Sequence, residues 1–475
     1  MARGQSVPSS LIQKDRAADH RSGGRGDKYP VDGIISPVSR RRLPAIVLLG
    51  TNAISLFGSQ LSALALPWFV LETTGSPARA GVVAFAEGSG FLLAGAFAGP
   101  LVDRHGYRQI SVGSDLTSAL AVGLVPLLYH TVGLAFWQLL LLSFAAALFQ
   151  SPGYSARARI VPELAVLANI RLERLNAAAE MAYHVTLLAG PPLSGLLIAG
   201  IGPSDVLAVD AATFALSAGL IAAAIPPHLL PPATRGRYLA ELAAGLRFLR
   251  QDRLLVPLTI SLALGTALVN APLIAVVLPV YARDTFGSAT KLGLLFSSFA
   301  AGALAGAALF SAIGSRMSWR WLWIIRFVLM ALPYWALAVE SSLAMALAAL
   351  AACGAANGAT NPLLVTVRFR RTPPELRGRV FGPLRVIGDL APPIGVLLAG
   401  AAIGAFGLRP AVLVLATGTA AVAAGVILLP AFRLLERPGA PPSVSASTPD
   451  PGGSADELLA RIPARESGVA TQAER

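Results

Sequence analysis

The sequence predicts an all-α integral membrane protein whose twelve transmembrane helices form two six-helix halves. Three observations predict it. The first is composition: of 475 residues, 55% are hydrophobic and only 13% charged, and the mean hydropathy is +0.64. A soluble chain carries about a quarter charged residues. The second is segmentation into twelve apolar windows, each near the roughly 20 residues a helix needs to cross the hydrocarbon core. The third is where the charge falls. Of the 38 Lys and Arg, the windows leave 32 at one membrane face, 4 at the other and 2 inside spans. That bias orients the chain with both termini cytoplasmic. It also accounts for the net charge of +13, so no nucleic-acid partner is expected.

Residues 1–43 are polar, basic and rich in Gly, Ser and Pro. They contain no apolar core of a signal peptide and read as a disordered cytoplasmic tail. The N-terminal half, residues 44–226, carries spans 44–70, 79–102, 110–130, 132–154, 175–200 and 204–226. On the first span Asn52, Ser55, Ser59 and Ser62 share one helical stripe, with Gln60 beside it. A polar stripe does not face lipid, so it lines a water-filled cavity or bonds to another helix; the cavity is the expectation. The second span ends in GPLVDRHGYRQ, residues 99–109. This must be a short loop at the bilayer surface, because irregular backbone is not tolerated in lipid. The fifth span contains Gly190, Pro191, Ser194 and Gly195. Proline removes a backbone bond and small neighbours admit a second helix closely, which makes a pliable packed seam.

Residues 227–253 form the internal boundary. Prolines open it, and Leu239, Leu242, Leu246 and Leu249 then recur at helical spacing, with Arg247, Arg250 and Arg253 towards the end. This predicts an amphipathic helix in the inner headgroup region, tying the halves together. The C-terminal half, residues 254–432, carries spans 254–281, 288–314, 319–339, 342–366, 379–405 and 409–432. Residues 433–475 read as a second disordered cytoplasmic tail. An offset of 212 places Arg104, Tyr107 and Arg108 on Arg316, Trp319 and Arg320, with Ser315 in place of Asp103. An offset of 201 places Pro191 and Pro192 on Pro392 and Pro393. These short matches are consistent with two six-helix halves that repeat one plan.

Charges inside spans cost roughly 2.5–3.5 kcal/mol each at a helix centre on insertion scales, so each needs a reason. Glu87 lies near the middle of the second span. Glu180 and His184 share a face of the fifth at i, i+4 spacing and could exchange a proton. Arg385 and Asp389 have the same spacing on the eleventh and read as a structural ion pair beside the motif loop. Asp115 and Arg326 are near enough to the cytoplasmic face to snorkel or join the loop network. Asp210, on the sixth, reads as a packing or helix-start residue. Asn270, Asn357 and Asn361 are further cavity candidates. The one cysteine, Cys353, excludes intrachain disulfides and cysteine-rich metal sites. No phosphate-binding loop, metal cluster or nucleophile elbow is present, so neither an ATPase nor an enzyme is indicated, and no cofactor or metal is expected.

The spacing of Gly99, Asp103, Arg104, Gly106 and Arg108 resembles the loop signature of the major facilitator superfamily, G-x-x-x-D-R-x-G-R-R, with Tyr107 at a usually basic position. The resemblance implies that the aspartate holds neighbouring helix ends in the outward-facing state while the arginine lies against it. Gly190, Pro191, Ser194 and Gly195 are similar to the antiporter signature of exporters, G-P-x-x-G-G. FQSPGYSARARIVPEL, ELAAGLRFLR and ELRGRVFG resemble the drug and macrolide efflux branch, which also includes enterobactin exporters. The branch implies a proton-coupled exporter of amphipathic drug-like molecules in a bacterial inner membrane, acting as a monomer and driven by the proton gradient. A siderophore exporter or lysophospholipid transporter is the alternative. A non-transporting sensor or scaffold on this fold is a third reading, against which the Asp103–Arg104 pair argues. Glu87, Glu180 and His184 are the proton-coupling candidates.

Overall fold

The computed structural model describes residues 37–226, 246–339 and 342–435, and among them all regular structure is helical. Twelve spans follow in order: α1 Pro37–Thr74, α2 Pro77–His105, α3 Tyr107–Thr131, α4 Phe136–Ala168, α5 Leu172–Ile201, α6 Pro203–Ala224, α7 Leu255–Phe286, α8 Ala289–Ile313, α9 Trp319–Ala338, α10 Leu343–Arg371, α11 Arg377–Phe406 and α12 Leu408–Leu428. Two of them are irregular. α2 bends by 55° between Gly95 and Phe97, and α7 contains π-helical stretches at Thr266–Asn270, Leu273–Val277 and Ala282–Phe286.

Several helices outrun the predicted spans, because a helix continues past the hydrocarbon wherever its ends are solvated. α4 has 33 residues, about 50 Å at 1.5 Å per residue against a core of about 30 Å. It therefore includes Arg157 and Arg159, which the predicted span, ending at 154, left in a loop. α1 begins at Pro37, so the last residues of the expected 1–43 tail are helical. At the other end, Pro430–Leu435 form a 3₁₀ turn whose Phe432 and Leu435 are buried, so residues 433–435 belong to the fold rather than to a tail. Most of the linker lies outside the described residues. Its described part is helical from 246 to 251, and Leu249 is buried against the C-terminal half rather than in a headgroup layer.

The helices alternate in direction, so the α2–α3 turn, the linker and both described termini share one end, here the basic end. The halves repeat one packing plan. α2 with α4, α3 with α6 and α1 with α5 correspond to α8 with α10, α9 with α12 and α7 with α11. The 212-residue repeat reappears as a pair of helix caps. The Arg108 guanidinium donates to the Ala222 carbonyl in the last turn of α6, and Arg320 donates to the Ile427 carbonyl, 3.3 Å away, in the last turn of α12. A cation at a helix C-terminus satisfies an orphan carbonyl and the macrodipole together. Gly106 joins α2 to α3 at φ 86°, where a side chain would be strained.

The halves meet at the end away from the basic one. A Cβ on Gly81 of α2 would lie 2.9 Å from the Gly400 Cα of α11, and one on Gly293 of α8 would lie 2.6 Å from the Pro191 carbonyl oxygen of α5. Apolar packing follows the same division. A single cluster, including Leu64, Phe69, Val276, Tyr281 and Val396, joins both halves there. Towards the basic end it gives way to two separate clusters, one per half. A cleft between the halves therefore opens at the basic end.

Candidate functional site

The polar residues of the N-terminal half converge on its interior. Asp210 of α6 is 1% exposed and accepts hydrogen bonds from the hydroxyls of Ser62 on α1 and Thr213, the latter at 3.3 Å. Glycine at position 58 makes room for it, since a Cβ there would collide with the Asp210 carboxylate and the Thr213 hydroxyl. Half-buried Glu87 of α2 lies within electrostatic reach of Asp210. The two carboxylates thus interact electrostatically from different helices. Beside them Ser59 accepts a 2.9 Å hydrogen bond from Gln150 of α4 and bonds to Tyr154. The α1 stripe therefore bonds to other helices at Ser59 and Ser62, while Ser55 is fully buried. This corrects the expectation of a cavity wall at Ser55, whereas Asn52, Ser59, Gln60 and Ser62 are half-buried. The rotation of α1 that packs it on α4 and α6 turns the stripe inward, where the Ser59 and Ser62 hydroxyls find protein partners and the Ser55 hydroxyl has none among the described residues.

One turn nearer the basic end is a buried ion pair. The Arg157 Nη1 donates to both Asp115 carboxylate oxygens, at 3.0 and 2.8 Å, and the Ser217 hydroxyl of α6 donates to the same carboxylate at 2.6 Å. The side chains are 4% and 2% exposed. Snorkelling is thus corrected for Asp115: its partner reaches it from α4, and a short carboxylate two turns inside a packed helix has no path to water. Arg326 does not snorkel either. It is 1% exposed, and Trp319 and Trp323 close the basic end of α9 below it.

The signature loop holds its acid differently from the arrangement the resemblance implies. Asp103 pairs with Arg159 of α4 at 2.8 Å, and the Arg159 side chain also packs under Gly99. Arg104 is exposed and forms no ion pair among the described residues. Successive residues on a helix point 100° apart, so the acid faces α4 while its neighbour turns away. An exposed pair such as this contributes at most about 1 kcal/mol. Asp103→Asn and Arg159→Gln are therefore each expected to leave expression unchanged while slowing transport about fivefold, the effect of a shift near 1 kcal/mol in a two-state equilibrium. The double variant should be no slower than either single one; additive losses in a transport assay would separate the two residues.

Glu180 and His184 stand apart from the buried network. Their side chains are 75% and 49% exposed and 4.0 Å apart, and Glu180 pairs with no loop arginine among the described residues. They fall on the α5 stripe that continues through Pro191 and Gly195, at spacings of four, seven and four residues. That stripe meets α8 at the closed end, so near the basic end the same face looks across the cleft. Gly190 packs on Gln60 of α1 and Gly195 on Ala289 of α8. Arg385 and Asp389 pair at 3.2 Å with side chains 74% and 49% exposed. Asp389, Pro393, Gly400 and Gly404 form the α11 stripe that meets α2, so this pair also borders the cleft rather than the fold interior. Asn52, Asn270 and Asn357 are half-buried and Asn361 is exposed. No side-chain hydrogen bond joins them to another element among the described residues.

Sequence reasoning missed Arg157, Arg159, Gln150 and Tyr154, and did not foresee the hydroxyl partners of Asp210. The signal available for the α4 residues was the run Gln150, Tyr154, Arg157 at helical spacing across the end of the apolar window 132–154. Among the described residues no group of three or more His, Cys, Asp or Glu is placed to hold a metal ion.

The family model described as Major Facilitator Superfamily matches residues 48–287 and 260–465. The chain is 32% identical over 404 residues to the multidrug efflux pump Tap of Mycobacterium tuberculosis, covering 83% of this chain and 95% of that protein. It is 26% identical over 366 residues to macrolide efflux protein A of Streptococcus pyogenes, covering 73% and 86%. Of solved structures, the nucleoside transporter NupG matches with TM-score 0.67 at 12% identity, covering 81% of this chain and 98% of that one. An inward-facing, occupied bacterial homolog of the human lysosomal transporter Spinster matches with TM-score 0.64 at 17% identity, covering 86% and 100%. At these identities the two structures speak to the fold alone.

Proposed function

Since the chain belongs to the major facilitator superfamily, we propose that it is a secondary active exporter of amphipathic, drug-like small molecules, driven by proton entry. The observation that carries this reading is the division of contacts between the halves: they are sealed through close glycine approaches at one end and parted at the other. Rocking about such a seam exposes a central cleft to each face in turn. Relatives named for multidrug and macrolide efflux supply the direction and the substrate class. Largely apolar walls with few charges suit substrates of varied shape. Glu87 and Asp210 are the proton carriers in this reading, with Glu180 and His184 at the cleft mouth as relay. No cofactor is needed, and a single chain contains the whole pathway.

The test is a drug susceptibility and accumulation panel in an efflux-deficient host, with and without a protonophore. Expression should lower accumulation of macrolides or cationic dyes, and the protonophore should abolish the difference. Accumulation unchanged across the panel, with export of a siderophore or lysophospholipid instead, would replace the substrate class.

The basic end is cytoplasmic in this reading, and the membrane is the bacterial plasma membrane. A phosphatase reporter fused after Arg475 should be inactive and a cytoplasmic reporter active there. The reverse pattern would invert the topology and with it the direction of transport.

A further inference from the structure

The C-terminal half encloses a cation for which the described residues provide no anion. Arg326 sits on α9 seven residues from its start, about 10 Å along the axis at 1.5 Å per residue. It is 1% exposed, and its Nε, Nη1 and Nη2 atoms have no hydrogen-bond partner. The guanidinium lies over the rings of Trp323 and Phe327, 5.1 and 5.2 Å from their centroids. From α7, Gly265 faces it without a side chain: a Cβ there would stand 3.4 Å from Nη1. From α10 the thiol of Cys353, itself buried, lies within electrostatic reach. No carboxylate pairs with Arg326 among the described residues. In the N-terminal half, by contrast, Asp115 neutralises Arg157 in full.

A guanidinium cannot shed its proton in a protein and brings five donors in one plane. Ring faces offset part of the charge, but they leave those in-plane donors empty, and a buried charge without a counter-ion is strongly unfavourable. Water would fill the donors without cancelling the charge. One positive charge calls for one negative charge, and the apolar surround penalises a divalent ion far more than a monovalent one. The wall at Gly265 is close: a Cβ there would stand 2.9 Å from the Phe327 ring as well as 3.4 Å from Nη1, so nothing larger than a monatomic ion fits beside the guanidinium.

We propose that Arg326, between α7, α9 and α10, binds a small monovalent anion of the halide class. The ion lies in the guanidinium plane, bounded by Gly265, Trp323, Phe327 and Cys353, and neutralises the core of the C-terminal half. The site is independent of the transported substrate.

Thermal unfolding of the purified full chain, in sodium chloride or bromide against sodium gluconate at constant ionic strength, tests it. An anion that binds only the folded state raises the midpoint with its concentration until the site saturates. The expected result is a saturable rise of several degrees in chloride and bromide, absent in gluconate and absent in Arg326→Met. Equal midpoints in chloride and gluconate would overturn the proposal, as would an Arg326→Met protein that responds like the wild type. Bromide-soaked wild-type crystals decide the matter if the variant does not fold. An anomalous peak beside the guanidinium supports the site, and its absence at a bromide concentration that saturates the thermal response refutes it.

Discussion

Glu87→Gln and Asp210→Asn are each expected to abolish gradient-driven transport in proteoliposomes, reducing uphill accumulation to the level of empty vesicles. Each substitution mimics a permanently protonated carboxyl at almost unchanged volume, so the side chain keeps its shape but can no longer release a proton. Substrate binding and downhill exchange should persist, because neither change removes apolar cleft surface. The carboxylates of Glu87 on α2 and Asp210 on α6 repel one another electrostatically, so a change at one is felt at the other. The double variant should therefore look like either single one. Glu180→Gln or His184→Ala should weaken coupling only mildly, since these side chains are exposed and water can carry protons in their place. Wild-type accumulation by both Glu87→Gln and Asp210→Asn would remove the pair from the coupling mechanism. Wild-type accumulation by Asp210→Asn alone would leave Glu87 as the sole carrier.

The largest effect on stability is expected at the Asp115–Arg157 pair. Removing one partner of a buried ion pair leaves the other charge uncompensated and costs about 3–5 kcal/mol. Asp115→Ala should therefore lower the unfolding midpoint of the purified protein steeply and reduce its level in the membrane. Asp115→Leu combined with Arg157→Leu should recover most of the loss, because an apolar pair of similar bulk removes both charges at once. Ser217→Ala, which deletes one hydrogen bond to the same carboxylate, should cost about 1 kcal/mol. A double variant as unstable as Asp115→Ala would show that the position matters for shape and not for charge.

The windows of apolar sequence, the basic bias and the 212-residue repeat were enough for twelve spans in two halves, because the bilayer restricts a chain to helices of set length. The turn after the second span was legible only in part: residues 99–105, read as loop, are the last turns of α2, and the joint to α3 is Gly106 alone, at φ 86°. Helix ends were less legible. α4 and α1 run on in regions too polar to register as apolar windows, and a helix outside lipid leaves no hydropathy signal.

Partners across helices belonged to the tertiary structure alone. Asp115, Asp210 and Arg326 are alike in sequence, each a single charge in an apolar stretch. Only the rotation and packing of α1, α3, α4 and α6 give Asp115 an arginine and Asp210 two hydroxyls with a second acid nearby. Arg326 is left with two aromatic rings and no counter-charge among the described residues. Likewise Glu180–His184 and Arg385–Asp389 are i, i+4 pairs on any reading of the sequence, and the pairs themselves are local. That they border a cleft is decided by which faces of α5 and α11 the glycine seams at Gly195 and Gly400 commit to the opposite half. Periodicity fixes where a residue lies on its own helix. What it faces depends on how that helix is rotated against its neighbours, and that rotation is set by contacts between residues far apart in the chain.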